Sequence, residues 1–197
     1  PEAMAFFNKN RIVNYTLEKS IADGVNVPPR VYRIKTEISE AGGTLNEGEK
    51  VTKVSNLTGK GQNQKQKYDK DYTKTELDRS VVVPSQIETV VRAYKDAIYE
   101  SLYPEREKNW YMIPKTLFFA KKESHAQDIL KAIENVFKDE FPDKKLPEHF
   151  AQLITCKSGN SNQLISDFRN NKDFRIAITV TLVATGTDVK PLEVVLF

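Results

Sequence analysis

Lys115–Ala120 (KTLFFA), Phe150–Thr155 (FAQLIT), Arg175–Val180 (RIAITV) and Leu192–Phe197 (LEVVLF) are short apolar runs of strand length, and their spacing constrains the fold more than any other feature. Stretches of helical periodicity, SHAQDILKAIENVFKD and NSNQLISDFR, separate the first three. Two strands with a helix of about ten or more residues between them cannot pair as a hairpin; the chain must cross over the sheet and return in the same direction. The expected sheet is therefore mostly parallel, with right-handed connections and flanking helices. RIAITV is apolar on both alternating faces, the pattern of a central strand covered on both sides. The fold class is α/β, a layered domain over residues 75–197.

The helices have recognisable faces. Ser124 followed by Gln127 has the spacing of a capping box, and Ala126, Ile129, Leu130, Ile133, Val136 and Phe137 form one apolar stripe behind it. Ser85 with Glu88 repeats the signal ahead of Ile87, Val90, Val91, Tyr94, Ile98 and Leu102, with Tyr103 and Pro104 closing the helix. Arg79–Val83 reads as a short buried strand before it. Further upstream, Thr16 caps a short helix at TLEKSIAD that Gly24 ends, and Arg30–Ile38 alternates like a half-exposed strand. Residues 1–38 form a lead-in to the domain. Residues 39–74 hold five glycines and little apolar material, so they read as a polar, lysine-rich insertion, mobile in part.

Within that insertion Gly59–Lys74 carries five lysines against two aspartates, a surplus equal to the net charge of +3 of the whole chain. This suits a lysine-rich arm near phosphates, although a solvated loop is the blander and weightier reading. It is not a phosphate loop, because the spacing GxxxxGK[ST] is absent and no apolar strand precedes the glycines. No apolar run approaches the ~18 residues of a membrane helix, and PEAMAFFNKNR lacks the ordered regions of a secretory signal. The lone Cys156 rules out an internal disulfide and fits a reducing cytoplasm; it reads as a packed thiol rather than a nucleophile.

Ligands of open α/β sheets collect beyond the carboxyl ends of the strands. There the sequence places Thr185, Gly186, Thr187 and Asp188, where a residue without a Cβ sits among hydroxyls and a carboxylate. Lys121, Lys122 and Ser124 follow one strand and open a helix, a pattern suited to phosphate through positive charge and free N–H groups, and equally to a capped, solvated helix start. Thr155 and Lys157 lie at another strand end as backbone contacts. His125 reads as solvent-facing, and two histidines far apart in sequence suggest no metal site.

The order of KTLFFAKKESHA, LITCKSGN, QLISDFRNN and RIAITVTLVATGTDV resembles the second, RecA-like motor domain of superfamily 2 helicases, of P-loop NTPase type. More narrowly, it resembles the motor (restriction) subunit of type I restriction enzymes. In that family a segment like YTLEKSIADGVNVPPRVYRI opens the domain, a strand ends beside a His-Ala helix start, and an apolar strand leads into TxxxTGxD. Tyr15–Ile34, Lys115–Ala126 and Ile176–Asp188 carry the match here, and the last is its most specific part.

The resemblance implies one lobe of an ATP-dependent DNA translocase whose full-length subunit cuts DNA. It implies ATP and Mg²⁺ held mainly by a first lobe, and a final arginine motif beyond Phe197, so that this chain is an excised fragment, inactive alone. Gly186 and Asp188 would face nucleotide. Thr179, Thr181 and Thr185 would face DNA, with Lys121, Lys122, Ser124 and Thr155 as further contacts. Implied partners are duplex DNA, the first motor lobe and the modification and specificity subunits, in the cytoplasm. A motor lobe of another superfamily 2 helicase, or a non-catalytic α/β module gripping an anion or a protein at Gly186, are the alternatives.

Overall fold

A computed structural model describes residues 13–34, 43–45, 50–54, 61–65, 70–72, 81–82, 84–180 and 189–197, with side chains for 13–34, 86–180 and 189–197. The chain divides into two compact units, residues 1–33 and 34–197.

In the first unit, α1 (Leu17–Ala22) begins at Thr16, whose Oγ1 accepts a hydrogen bond from the Lys19 N–H at 3.3 Å. This relieves one of the donors left open in a first turn. At the other end Gly24 takes φ +73°, and the Val25 and Asn26 N–H groups both return to the Ser20 carbonyl. The Ser20 side chain is buried and joins the Leu17 carbonyl to Asn26 Nδ2. Both expected helix ends are present. The strand expected at Arg30–Ile38 is not formed over Arg30–Ile34, and its remainder lies outside the described residues.

In the second unit, the described part of the polar insertion contains strands that its composition does not announce. β1 (Gly43–Leu45) pairs antiparallel with β4 (Lys70–Tyr72), and β2 (Lys50–Val54) pairs antiparallel with β3 (Gly61–Lys65) and with β5 (Val81–Val82). Backbone pairing needs no apolar alternation, which is why the sequence pattern misses it. β5, expected as a buried strand, thus pairs outside the main sheet.

α2 (Pro84–Ala97) starts on a proline, whose missing N–H costs nothing in a first turn. The Glu88 carboxylate accepts from Arg92 Nη2 at 2.8 Å, one turn on; the side chain of Ser85, its expected capping partner, lies outside the described residues. The helix continues as a π-helical turn at Ile98–Leu102. A 3₁₀ turn at Trp110–Met112 leads to β6 (Thr116–Phe119), followed by α3 (Glu123–Glu140), β7 (Ala151–Leu153), α4 (Ser161–Asn170), β8 (Ile176–Thr179) and β9 (Val194–Leu196).

β6 to β9 form a parallel four-stranded sheet in the order β7-β8-β6-β9. β8 occupies an inner position with all four residues buried, as its two-faced apolar pattern requires. Successive strand residues point to opposite faces, and the core divides accordingly. Phe118, Ile176 and Ile178 pack with the α2 and α3 stripes, whereas Leu117 and Ala177 pack with Phe168 of α4 and with Phe174. This is an α/β layer with helices on both faces, consistent with a RecA-like layer.

Tyr94 fastens α2 to the sheet. Its ring meets Phe118 edge-on at 5.2 Å. Its hydroxyl lies 2.6 Å from Thr116 Oγ1, which itself donates to the Pro114 carbonyl. The single Thr116 proton is thereby committed, so the phenol donates, and burial raises its pKa far above the ordinary value.

The amino-terminal edge of the sheet is closed by charge. Lys115 Nζ donates to the carbonyls of Phe168 and Asn171 at the end of α4, where cations complement the helix dipole. Burial, followed by the nearby Arg175 charge, pushes that amine down to about 8. Glu193 pairs with Arg106 and accepts from the Lys115 N–H at 3.0 Å, while Arg175 donates to the Ile113 and Lys172 carbonyls.

Candidate functional site

The opposite, carboxyl-terminal edge is where three chain segments converge. The ladder runs past the strands, with the Ala120 N–H bonding the Thr179 carbonyl at 2.7 Å and the Ile154 N–H bonding the Ile178 carbonyl at 2.8 Å. The segments leaving β6, β7 and β8 therefore start side by side.

Beyond β6 the chain turns sharply into α3. Lys122 is the N-cap residue, with extended backbone (φ −160°, ψ 170°) and no side-chain cap. The Ser124–Gln127 capping box is therefore not formed. Helix entry comes two residues earlier than that box requires, so Ser124 already lies inside the first turn with its side chain exposed. His125 supplies the missing restraint: its Nδ1 accepts a hydrogen bond from the Lys121 N–H at 3.1 Å. Its surroundings are half-buried rather than the solvent face expected. Burial, then the charges of Lys121 and Lys122, push the imidazole down to about 4. Burial also lowers the Lys122 pKa, opposed by Asp128. Lys121 is exposed.

Beyond β7 a tight turn forms at Thr155–Gly159. Thr155 Oγ1 donates to Glu123 Oε1 at 3.0 Å, the Thr155 N–H donates to Ser158 Oγ at 3.0 Å, and Ser158 Oγ donates to the Leu153 carbonyl. Gly159 closes the turn at φ +70°, a conformation that penalises a Cβ. Thr155 is 2% exposed, so its contribution is to hold this turn against α3 rather than to offer a free hydroxyl. Cys156 is exposed, not packed as its type suggests, and Lys157 beside it is exposed too.

At the end of β8, Thr179 is fully buried and its hydroxyl has no hydrogen-bond partner among the described residues. Strand alternation puts it on the face of Ala177, opposite to α3. Thr181, Thr185, Gly186 and Asp188 lie outside the described residues. The structure thus brings Lys121, Lys122, Ser124 and Thr155 together and sets Thr179 on the same sheet edge. Sequence reasoning passes over Glu123 and Ser158 and reads His125 as solvent-facing, whereas all three organise that edge. Ser158-Gly159 is a turn signal in hindsight, whereas nothing local marks the contact between Glu123 and Thr155.

Chemically, the edge offers two lysines adjacent in sequence at a helix N-terminus without a side-chain cap, where the dipole and open N–H groups favour an anion. The Glu123 carboxylate stands at the same place, turned to Thr155. Among the described residues, no three His, Cys, Asp or Glu side chains cluster so as to hold a metal ion. No helix among them is long and apolar enough to cross a membrane.

The fold and edge define a parallel α/β layer with a cationic carboxyl-terminal rim. No family model matches the chain. It is similar, however, to endonuclease subunits of type I restriction enzymes over almost its whole length. It is 24% identical over 194 residues to the EcoKI endonuclease subunit of Escherichia coli strain K12, covering 94% of this chain and 15% of that protein. It is 24% identical over 183 residues to the EcoAI endonuclease subunit of Escherichia coli, covering 92% of this chain and 20% of that protein. The chain therefore spans only a small part of the relatives it matches. A solved fragment described as an HsdR subunit of a type I restriction enzyme from Vibrio vulnificus YJ016 shares 20% identity at a TM-score of 0.35, over 53% of this chain and 20% of that one. That likeness is too loose to define the fold.

Proposed function

We propose that this chain is the second motor lobe of a type I restriction subunit and that its carboxyl-terminal edge engages the phosphates of duplex DNA during ATP-driven translocation. The observation that carries this reading is the convergence of Lys121, Lys122, Ser124 and the Thr155 turn at one sheet edge, fixed by the bond between Thr155 and Glu123. Similarity to two restriction endonuclease subunits over 94% and 92% of the chain supports it.

In this reading the lysines neutralise backbone phosphates, which gives affinity and register without reading bases. The resemblance assigns nucleotide to Gly186 and Asp188 and DNA to Thr181 and Thr185, which lie outside the described residues; Thr179 is fully buried and leaves the DNA contact to them. In this reading Mg²⁺ and the phosphates of ATP are held mainly by the other lobe of the motor. That nucleotide would supply the energy of the translocation cycle. The modification and specificity subunits complete the complex, and this chain alone neither hydrolyses ATP nor cuts DNA.

Anisotropy of a fluorescent duplex, titrated with the 197-residue chain at several salt concentrations, tests the DNA contact. Replacing both Lys121 and Lys122 by Ala is expected to weaken binding at every sequence and to reduce the slope of log K against log salt by about 2, roughly one per lost phosphate contact. Wild-type affinity and slope in the double variant would overturn the reading.

A further inference from the structure

We infer that His125 is a positioning residue for the turn that presents Lys121 and Lys122, acting as a hydrogen-bond acceptor through Nδ1 and therefore in its neutral Nε2–H form. This deepens the phosphate-engaging reading of the edge and rests on it.

The first turn of α3 lacks the usual closure of a helix N-terminus. An N-terminus is usually closed by a side chain on the N-cap residue, often with a second side chain three residues later reaching back to the N-cap N–H. Here the N-cap is Lys122, which has no oxygen to offer and makes no side-chain cap. His125 stands three residues later, and its Nδ1 reaches one residue beyond the usual target, to the Lys121 N–H at 3.1 Å. The imidazole thus bridges the first turn of α3 to the segment leaving β6, and both lysines lie on the bridged turn.

Two features set the chemical state of the ring. A nitrogen that accepts a hydrogen bond carries no proton, so the bond specifies one tautomer. A protonated ring would also give up its acceptor and place a third positive charge beside Lys121 and Lys122, in a half-buried position. Burial and those two charges together hold the imidazole neutral well below neutral pH. The ring is thus not an anion ligand here; it fixes the backbone from which the two cations project. A pre-ordered pair loses less freedom on meeting phosphate than a loose one, so affinity falls if the bridge is cut.

The variants that separate this role from mere stability are His125→Ala, which removes the acceptor, and His125→Asn, whose Oδ1 takes the place of Nδ1. Three readouts are needed on the 197-residue chain: duplex-DNA affinity by anisotropy, melting temperature, and NMR of the His125 ring with hydrogen exchange of the Lys121 amide. The expected result is an Nε2–H tautomer in the wild type and a Lys121 amide protected in wild type and His125→Asn but not in His125→Ala. DNA affinity should fall severalfold in His125→Ala and return in His125→Asn. A ring protonated at Nδ1, or a Lys121 amide equally protected in all three proteins, overturns the positioning role. So does unchanged DNA affinity in His125→Ala when the Lys121 and Lys122 variants lose binding, or a loss in both His125 variants that merely follows melting temperature. If the lysine variants bind like wild type, the phosphate-engaging reading fails, and with it the claim about affinity; the ring and amide measurements still decide whether His125 holds the turn.

Discussion

The hydroxyl of Thr155 donates a 3.0 Å hydrogen bond to the carboxylate of Glu123, joining the turn after β7 to the first residue of the helix after β6. The two residues are far apart in sequence, and β6 and β7 lie on either side of β8 in a parallel sheet, whose strand ends reach one edge only through crossovers. This one bond therefore reports the tertiary arrangement of the edge as well as its local chemistry.

Removing it has a defined cost. Thr155→Val keeps the shape of a buried side chain while deleting a donor to a charged acceptor, and is expected to destabilise the chain by roughly 1–3 kcal/mol. Urea unfolding of Thr155→Val, Glu123→Ala and the double variant measures the pair directly. A coupling of about 0.5 kcal/mol or more is expected for groups in contact, and strict additivity would show that the two side chains do not interact in solution.

The core makes a larger prediction. Phe118 is 2% exposed, packs in the α2–α3 layer and meets Tyr94 edge-on. Phe118→Ala should cost about 3–5 kcal/mol through lost burial and the cavity left behind. Val195 on β9 is 46% exposed, and Val195→Thr should change stability by about 0.5 kcal/mol or less. Comparable losses at both sites would contradict the assignment of these two positions to core and surface.

The acid response of the edge has a sign that follows from His125. Its pKa in the folded chain is lowered to about 4, below its ordinary value, so the unfolded chain takes up the proton first as pH falls. The stability linked to a neutral ring is complete above the ordinary histidine range and is lost as pH drops toward the folded value. His125→Asn keeps the acceptor and cannot titrate in this window. Unfolding free energies of wild type and His125→Asn should therefore converge or cross as pH is lowered from 7 to 4.5, to the disadvantage of the wild type. A difference that stays constant over that range would mean the ring titrates normally.

What the sequence makes legible is the layer. Short apolar runs separated by amphipathic stretches give the four parallel strands, and β8 declares its inner position by being apolar on both faces. Element ends are less legible, because Ser124 and Gln127 satisfy a capping rule that the chain does not use; His125 wins by reaching back to Lys121. Composition fails at Cys156, whose usual burial is overridden by its place in a turn. It fails again in the polar insertion, where strands β1 to β4 pair through backbone groups that side-chain patterns do not reveal. At the edge itself, Lys121, Lys122 and Thr155 are readable as strand-end residues, whereas the tie from Glu123 to Thr155 is tertiary and leaves no local mark.

The most direct test of DNA engagement at this edge uses Cys156, the single cysteine of the chain, exposed in the turn that Thr155 anchors. The rate of its alkylation by a small maleimide can be followed by mass spectrometry with and without duplex DNA. If the carboxyl-terminal edge carries the contact, saturating DNA should slow alkylation severalfold, and raising the salt until the duplex dissociates should restore the free rate. An unchanged rate at DNA concentrations where anisotropy shows the chain fully bound would place the contact elsewhere and contradict the account.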